Sequence, residues 1–179
     1  MSGDEPGAGD AVGLRDGTRV VIRPIRPDDE PLMPAFHAGL SNRSVYQRYF
    51  YLPSYEQRVE STRLALTCRV DPSQGLALVA EHRRNDGGAE IVALARLTRS
   101  AEAGAAEIAL LVMDRWQGLG LGRALMHHLV AAARALGVHR LYGDMLADND
   151  AMRAVVRHAG FVIHSVPGDG AVLRVERAL

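Results

Sequence analysis

The stretch Val112-Met113-Asp114-Arg115-Trp116-Gln117-Gly118-Leu119-Gly120-Leu121-Gly122-Arg123-Ala124-Leu125-Met126 carries most of the information in this chain. An apolar, strand-like run over residues 108–113 leads into a polar turn, then three glycines spaced two apart, then a strongly helical run. Glycine lets a backbone approach a ligand closely. At a helix start, unpaired N–H groups and the helix dipole favour an anion such as a diphosphate. A plain turn has no need of three alternating glycines, whose freedom costs entropy on folding. The expectation is a phosphate-bearing ligand at this strand–loop–helix unit, and a ligand-free turn is the alternative.

Two other glycine-rich loops do not fit. A Walker A loop requires a lysine, and all 21 basic residues here are arginine. A Rossmann fingerprint starting at Gly118 or Gly120 puts Arg123 or Leu125 where close helix–strand packing wants glycine. Asp144 stands near the place of a ribose-binding acid, but the unit begins past the middle of the chain, too late for a doubly wound domain.

The 179 residues fit one domain with a sizeable core. Hydrophobic residues at 47% and charged residues at 23% are ordinary for a soluble globular protein. The 21 basic residues balance 21 acidic ones, so no net field argues for nucleic acid or an anionic membrane as partner. Cys68 is the single cysteine, which rules out an internal disulfide framework and a cysteine-only metal site. No apolar run approaches transmembrane length, and the acidic, glycine-rich start lacks the apolar segment of a signal peptide. A cytoplasmic setting is expected.

Residues 1–13 are expected to form a disordered tail and residues 14–179 one domain. After the Asp16-Gly17 turn, residues 18–25 are rich in β-branched side chains and predict a strand. Asp28-Asp29-Glu30 supplies cap and first-turn acids for a helix over 29–40. Ser41 caps a second helix to residue 50 and Ser54 a third to residue 67. Residues 76–81 and 90–98 predict a hairpin, and 105–113 a fourth strand. Leu121, Leu125, Leu129 and Ala133 fall one turn apart, with Met126, Val130 and Leu136 beside them, so a helix runs over 121–136 until Gly137 ends it. A strand over 141–146, a helix over 151–158 and a strand pair over 161–166 and 171–177 complete an α+β fold with one mixed sheet.

The spacing Gln117-x-x-Gly120-x-Gly122 resembles the signature with which GNAT-superfamily N-acetyltransferases hold coenzyme A. The element order is also that of the GNAT fold, over residues 14–177. The resemblance implies a mostly antiparallel mixed sheet with helices on both faces. Its fourth and fifth strands splay apart to take the acetyl-pantetheine arm. It further implies that the backbone of Leu111, Val112 and Met113 pairs with pantetheine, and that amides from Gln117, Gly118, Leu119, Gly120, Leu121, Gly122 and Arg123 hold the diphosphate. Asn149-Asp150-Ala151-Met152, followed by Gly160-Phe161, is similar to the family's second motif and places Asn149 and Met152 at the cofactor. Asn149 is equally a natural helix N-cap, and the two roles are compatible.

A narrower likeness lies upstream. Leu14-Arg15-Asp16-Gly17-Thr18, Ile22-Arg23-Pro24-Ile25-Arg26-Pro27-Asp28-Asp29, Leu40-Ser41 and Ser44-Val45-Tyr46-Gln47-Arg48-Tyr49-Phe50 look like bacterial protein lysine acetyltransferases of the Pat type. This implies ε-amino acetylation of a lysine on an acceptor protein, typically an AMP-forming acyl-CoA synthetase, with acetyl-CoA as co-substrate and no metal. A small-molecule amine N-acetyltransferase and a non-catalytic acetyl-CoA-binding regulatory domain are the alternatives.

Amine acetylation needs an unprotonated nucleophile, whereas a lysine ammonium in water has a pKa of about 10.4, so a nearby base must take the proton. Glu107 occupies the fourth-strand position that carries the base in the Pat-type proteins this chain resembles. It interrupts an apolar strand, and alternation sends Glu107, Ala109 and Leu111 to one face and Ile108, Leu110 and Val112 to the other. The plain alternative is a surface glutamate. Many family members place a thiolate-protonating tyrosine where this chain has Val156, so no general acid is assigned. Asp144 and Tyr142 are backups, better suited to an acceptor contact and to packing. Arg123, Arg157 and His158 are candidates for the phosphates of coenzyme A. His127-His128, with no nearby carboxylate in sequence, reads as a solvated or packed pair rather than a metal site. Six of the nine aromatics fall between residues 36 and 55, either core or a border of the acceptor cleft.

Overall fold

The computed structural model describes residues 9–179, so residues 1–8 of the expected tail lie outside the described residues. The end of that tail is ordered. Asp10–Gly13 forms β1, antiparallel to β2 (Arg19–Pro24) from Asp10↔Ile22 to Gly13↔Arg19. Its side chains stay largely exposed and it is held by backbone bonds to its neighbour, so no hydrophobic pattern announces it. The other strands are β3 (Gly75–Arg83), β4 (Ala89–Arg99), β5 (Ala105–Val112), β6 (Arg140–Leu146), β7 (Val162–Val166) and β8 (Asp169–Ala178). Among the described residues they make one sheet of order β1-β2-β3-β4-β5-β6-β8-β7, in which only β5 and β6 are parallel. The fourth and fifth strands of the sequence reading are therefore β5 and β6.

The helices are α1 (Met33–Ala38), α2 (Asn42–Tyr49), α3 (Tyr55–Arg58), α4 (Ser61–Cys68), α5 (Leu121–Ala135) and α6 (Asp150–His158). Two expected helices are broken. The helix expected over 29–40 is a 3-10 segment, Pro27–Leu32, followed by α1, because Pro31 and Pro34 remove amide donors. Asp29 is a first-turn acid of the 3-10 segment, as expected, and it is also buried. It is 3% exposed, receives Arg23 at 2.6 and 2.8 Å and the Arg26 amide at 2.7 Å, while Glu81 takes the same guanidinium at 2.7 Å. The helix expected over 54–67 is divided where the Glu60 carboxylate accepts from the amides of Thr62 and Arg63 and starts α4 afresh.

Helices cover both faces of the sheet. α5 buries Leu121, Leu125, Met126, Leu129, Val130 and Ala133 against β3, β4 and β5, and ends at Gly137 with φ 71°. Each large apolar side chain among them contributes about 1.5–3 kcal/mol of burial. α1 and α2 meet β4 and β5 from the face that carries Glu107, Ala109 and Leu111. Leu110 points the other way, toward Gly122 on α5.

One irregularity positions the site. β5 and β6 pair only at Ala105↔Arg140, Ala106↔Leu141 and Glu107↔Tyr142. Beyond that point β5 continues along β4 and β6 along β8, so residues 108–112 keep one edge free of any strand. Gly143 stands at the parting. A Cβ there would lie 3.1 Å from the Ile108 carbonyl oxygen, so glycine lets the two strands come together just before they separate.

Candidate active site

A cavity of about 320 Å³ lies at the mouth of this V. Its lining includes β5 from Glu107 to Val112; Gln117, Gly118, Gly120, Gly122 and Arg123 from the glycine loop and α5; and Asn149, Met152 and Val155 from α6 and its cap. Arg15, Ser44, Gln47, Arg48 and Phe50 also line it, as do Asp144 and Met145 of β6.

Gly118 (φ 76°) and Gly120 (φ 93°) adopt left-handed backbone that a side chain disfavours. Gly122 has a different task. A Cβ there would sit 3.2 Å from Val155 Cγ2 and 3.6 Å from Leu110 Cδ2, so glycine keeps α5, α6 and β5 close. The side chains of Ser41, Ser54, Glu60 and Asn149 cap α2, α3, α4 and α6, whereas Gly120 gives α5 no side-chain cap. The first amides of α5 are thus left for a ligand, beside Arg123. The loop is clasped from outside. The Arg15 amide donates to Leu119 O at 3.1 Å and its guanidinium to Gly118 O at 3.4 Å. The Gln117 side-chain amide donates at 3.0 Å to both Ser44 Oγ and Val112 O, tying α2 to the end of β5.

Glu107 is exposed, stands opposite Thr98 on β4, and belongs to the last residue pair before the strands part. Arg48 of α2 lines the same cavity. Burial chiefly lowers the Arg48 pKa from its usual value; Arg96 and Arg63 add to this, while Tyr49 and Glu107 oppose it.

Not every residue singled out in the sequence reaches the cavity. Met113, Leu119 and Leu121 do not line it: Met113 packs against Gly39, and the Leu121 side chain is 1% exposed in the core. Asn149 caps α6 through the Met152 amide at 3.0 Å, and its side-chain nitrogen has no protein acceptor among the described residues. Val156 is fully buried and offers no proton. Asp144 is held bidentately by Arg174 at 2.6 and 2.8 Å, and Tyr142 lies between the guanidiniums of Arg140 and Arg174. Arg157 and His158 are exposed and away from the cavity. His128 does have a carboxylate partner, Asp10 at 3.1 Å, supplied by β1 from 118 residues away. Among the described residues no three His, Cys, Asp or Glu side chains gather as a metal site, and no helix is long and apolar enough to cross a membrane. Phe50, one of the aromatics read as core or as a border of the acceptor cleft, lines the cavity, whereas sequence reasoning missed Arg15, Gln47 and Arg48 as cavity residues. Their only signal was their place in the Pat-like segments.

An open sheet with a V between two parallel neighbours and an uncapped, glycine-led helix beside it defines a class of acyl-CoA-using transferases, and sequence comparison agrees. Residues 19–162 match the family model for the acetyltransferase (GNAT) domain; the chain belongs to this family and is an acyltransferase. It is 33% identical over 156 residues to acetyltransferase PA5475 of Pseudomonas aeruginosa, covering 87% of this chain and 82% of that one. It is 30% identical over 156 residues to acetyltransferase Pat of Mycolicibacterium smegmatis, spanning 84% of this chain but 44% of the relative. Among solved structures, the GNAT domain of S. lividans PAT superposes with a TM-score of 0.82 at 29% identity, with 100% of both chains covered. The PaiA N-acetyltransferase of Thermoplasma acidophilum, solved with coenzyme A, shares the fold at a TM-score of 0.68 and 15% identity, over 89% of this chain and 99% of that one.

Proposed function

We propose that this chain transfers the acetyl group of acetyl-CoA to a lysine ε-amine of an acceptor protein, an AMP-forming acyl-CoA synthetase, with Glu107 as general base. The observation that carries the reading is the place of Glu107: on the cavity wall, at the last β5–β6 pair, where the strand edge becomes free. The residues present suit the co-substrate. The free β5 edge offers backbone partners to the pantetheine amides. The uncapped α5 amides, with Arg123 and Arg15 nearby, suit the diphosphate, and the unpaired nitrogen of Asn149 is a donor at the wall.

In the reaction the amine nitrogen bonds to the thioester carbonyl carbon as the carbon–sulfur bond breaks. Glu107 takes the amine proton, directly or through water. N–H groups of the free β5 edge are available to the oxygen that gains charge. Val156 supplies no proton, so the thiolate departs as such or is protonated by water. Arg48 beside Glu107 disfavours an ammonium in the acceptor position and helps expel its proton.

A protein acceptor is supported by the likeness to Pat and by the exposed side chains of Tyr46, Phe50, Tyr51, Leu52 and Tyr55, a surface continuous in sequence with the cavity residue Phe50. The test is incubation with labelled acetyl-CoA and a purified acyl-CoA synthetase, followed by mass spectrometry. The chain has no lysine, so no ε-amine label can come from the enzyme itself. Label on a synthetase lysine is expected. Efficient acetylation of polyamines, aminoglycosides or free amino acids, with every protein candidate unmodified, would replace this acceptor with a small molecule.

A further inference from the structure

A second cavity, of about 110 Å³, shares Arg48, Ala109 and Leu111 with the first. Arg96 on β4 is the register partner of Ala109 and so stands on the Glu107 face of the sheet; Arg63 reaches the same space from α4. The guanidinium carbons of Arg48 and Arg63 lie 5.0 and 5.2 Å from the Tyr49 ring centroid. Among the described residues none of these three guanidiniums has a carboxylate at ion-pair distance or a hydrogen bond to a protein acceptor. Arg23, Arg140 and Arg174, by contrast, all have carboxylate partners. His37 adds a further donor group. It is 4% exposed, held neutral chiefly by burial, and its Nδ1 has no hydrogen-bond partner.

Three cations around one small space repel one another, and no Asp or Glu among the described residues lines it; the nearest acid acting on the cluster, Glu107, faces Arg48 from the larger cavity. A ligand anion offsets that repulsion. The space holds only a few water-sized groups, at about 30 Å³ each. Its mixed lining of guanidinium forks and the apolar Leu94, Ala109 and Leu111 suits a carboxylate on a short carbon chain. We propose that this cavity is a carboxylate-binding subsite for a substrate of the transferase, with Arg48, Arg63 and Arg96 as its cations. The inference rests on the acyl-transfer reading above. Two substrates can bring such a group: a dicarboxylic acyl chain on coenzyme A, passing Ala109 and Leu111, or an acceptor with an acidic group next to its amine.

Calorimetry with two coenzyme A thioethers, one carrying a butanoate chain and one the matching butanamide, tests it. The charged chain should bind about tenfold more tightly to the wild type. That preference should vanish in Arg96→Met and largely return in Arg96→Lys, with coenzyme A itself bound alike by all three. Arg63→Met replaces Arg96→Met if the latter does not fold by circular dichroism. A second arm titrates glutarate into coenzyme A-saturated protein. Arg96-dependent glutarate binding without a thioether preference assigns the subsite to the acceptor. Absence of both effects overturns the proposal. Failure of the wild type to bind coenzyme A at all would instead overturn the acyl-transfer reading.

Discussion

Gly120 separates backbone strain from charge at one position. Its φ of 93° makes any side chain unfavourable, yet a Cβ there meets nothing nearer than Arg15 at 3.9 Å. Gly120→Ala therefore loses about 1–2 kcal/mol from the left-handed backbone alone, which lowers Tm by about 2–8 °C in a domain of this size. Gly120→Asp carries the same strain and adds a carboxylate at the uncapped start of α5. Without ligand that carboxylate is welcome among the first amides, so the Asp variant should melt no lower than the Ala variant. With ligand it opposes the diphosphate. A unit charge about 5 Å away, at an effective dielectric constant of about 20, costs about 3 kcal/mol, or roughly a hundredfold in Kd. Isothermal titration with coenzyme A, beside thermal melts, should show near-normal affinity for folded Ala protein and a loss of a hundredfold or more for Asp. Unchanged affinity in Gly120→Asp would move the diphosphate away from α5 and undo the reasoning.

Other perturbations have equally definite outcomes. Burial, reinforced by Arg58 and Arg63, holds the His37 pKa down at about 4, well below the 6.5 of an exposed histidine. A depressed folded-state pKa gives stability that is complete above the unfolded pKa and is lost as pH falls from about 6.5 through about 4, by about 3 kcal/mol. Urea denaturation across that window should show the loss in the wild type and a flatter profile in His37→Leu; equal slopes would contradict it. Asp29→Ala leaves the Arg23 guanidinium, 5% exposed as a residue, with Glu81 as its one carboxylate beside the Pro24 carbonyl, and should cost about 3–5 kcal/mol in urea unfolding. A loss below about 1 kcal/mol would mean that the buried pair does not anchor the 3-10 segment.

The sheet, α5 and the glycine loop were legible because local patterns specify them: alternation in β5, one-turn spacing from Leu121 to Ala133, and glycines at positive φ. What escaped depends on partners far apart in sequence. β1 is an edge strand held by backbone bonds, and the partner of His128 comes from it. Asp29 was legible as a helix-start acid, but not its burial against Arg23, which also reaches Glu81 from β3. The breaks at Pro31 and Glu60 were visible as residue types, but the apolar content on either side masked them. The second cavity had no signal. Arg48, Arg63 and Arg96 share no spacing, and only the packing of α2 and α4 on β4 brings them together.

The central claim is that Glu107 accepts the acceptor's proton, and Glu107→Gln tests it most directly. The substitution keeps size and most hydrogen bonding but removes proton acceptance. Steady-state rates from about pH 6 to about pH 10 should be measured with coenzyme A affinity alongside. Affinity is predicted to hold, while turnover falls by roughly a hundredfold near neutral pH. The deficit should shrink toward about pH 10, where a growing share of acceptor lysine is already neutral. Near-normal turnover at every pH, or loss of turnover together with loss of coenzyme A binding, would contradict the account.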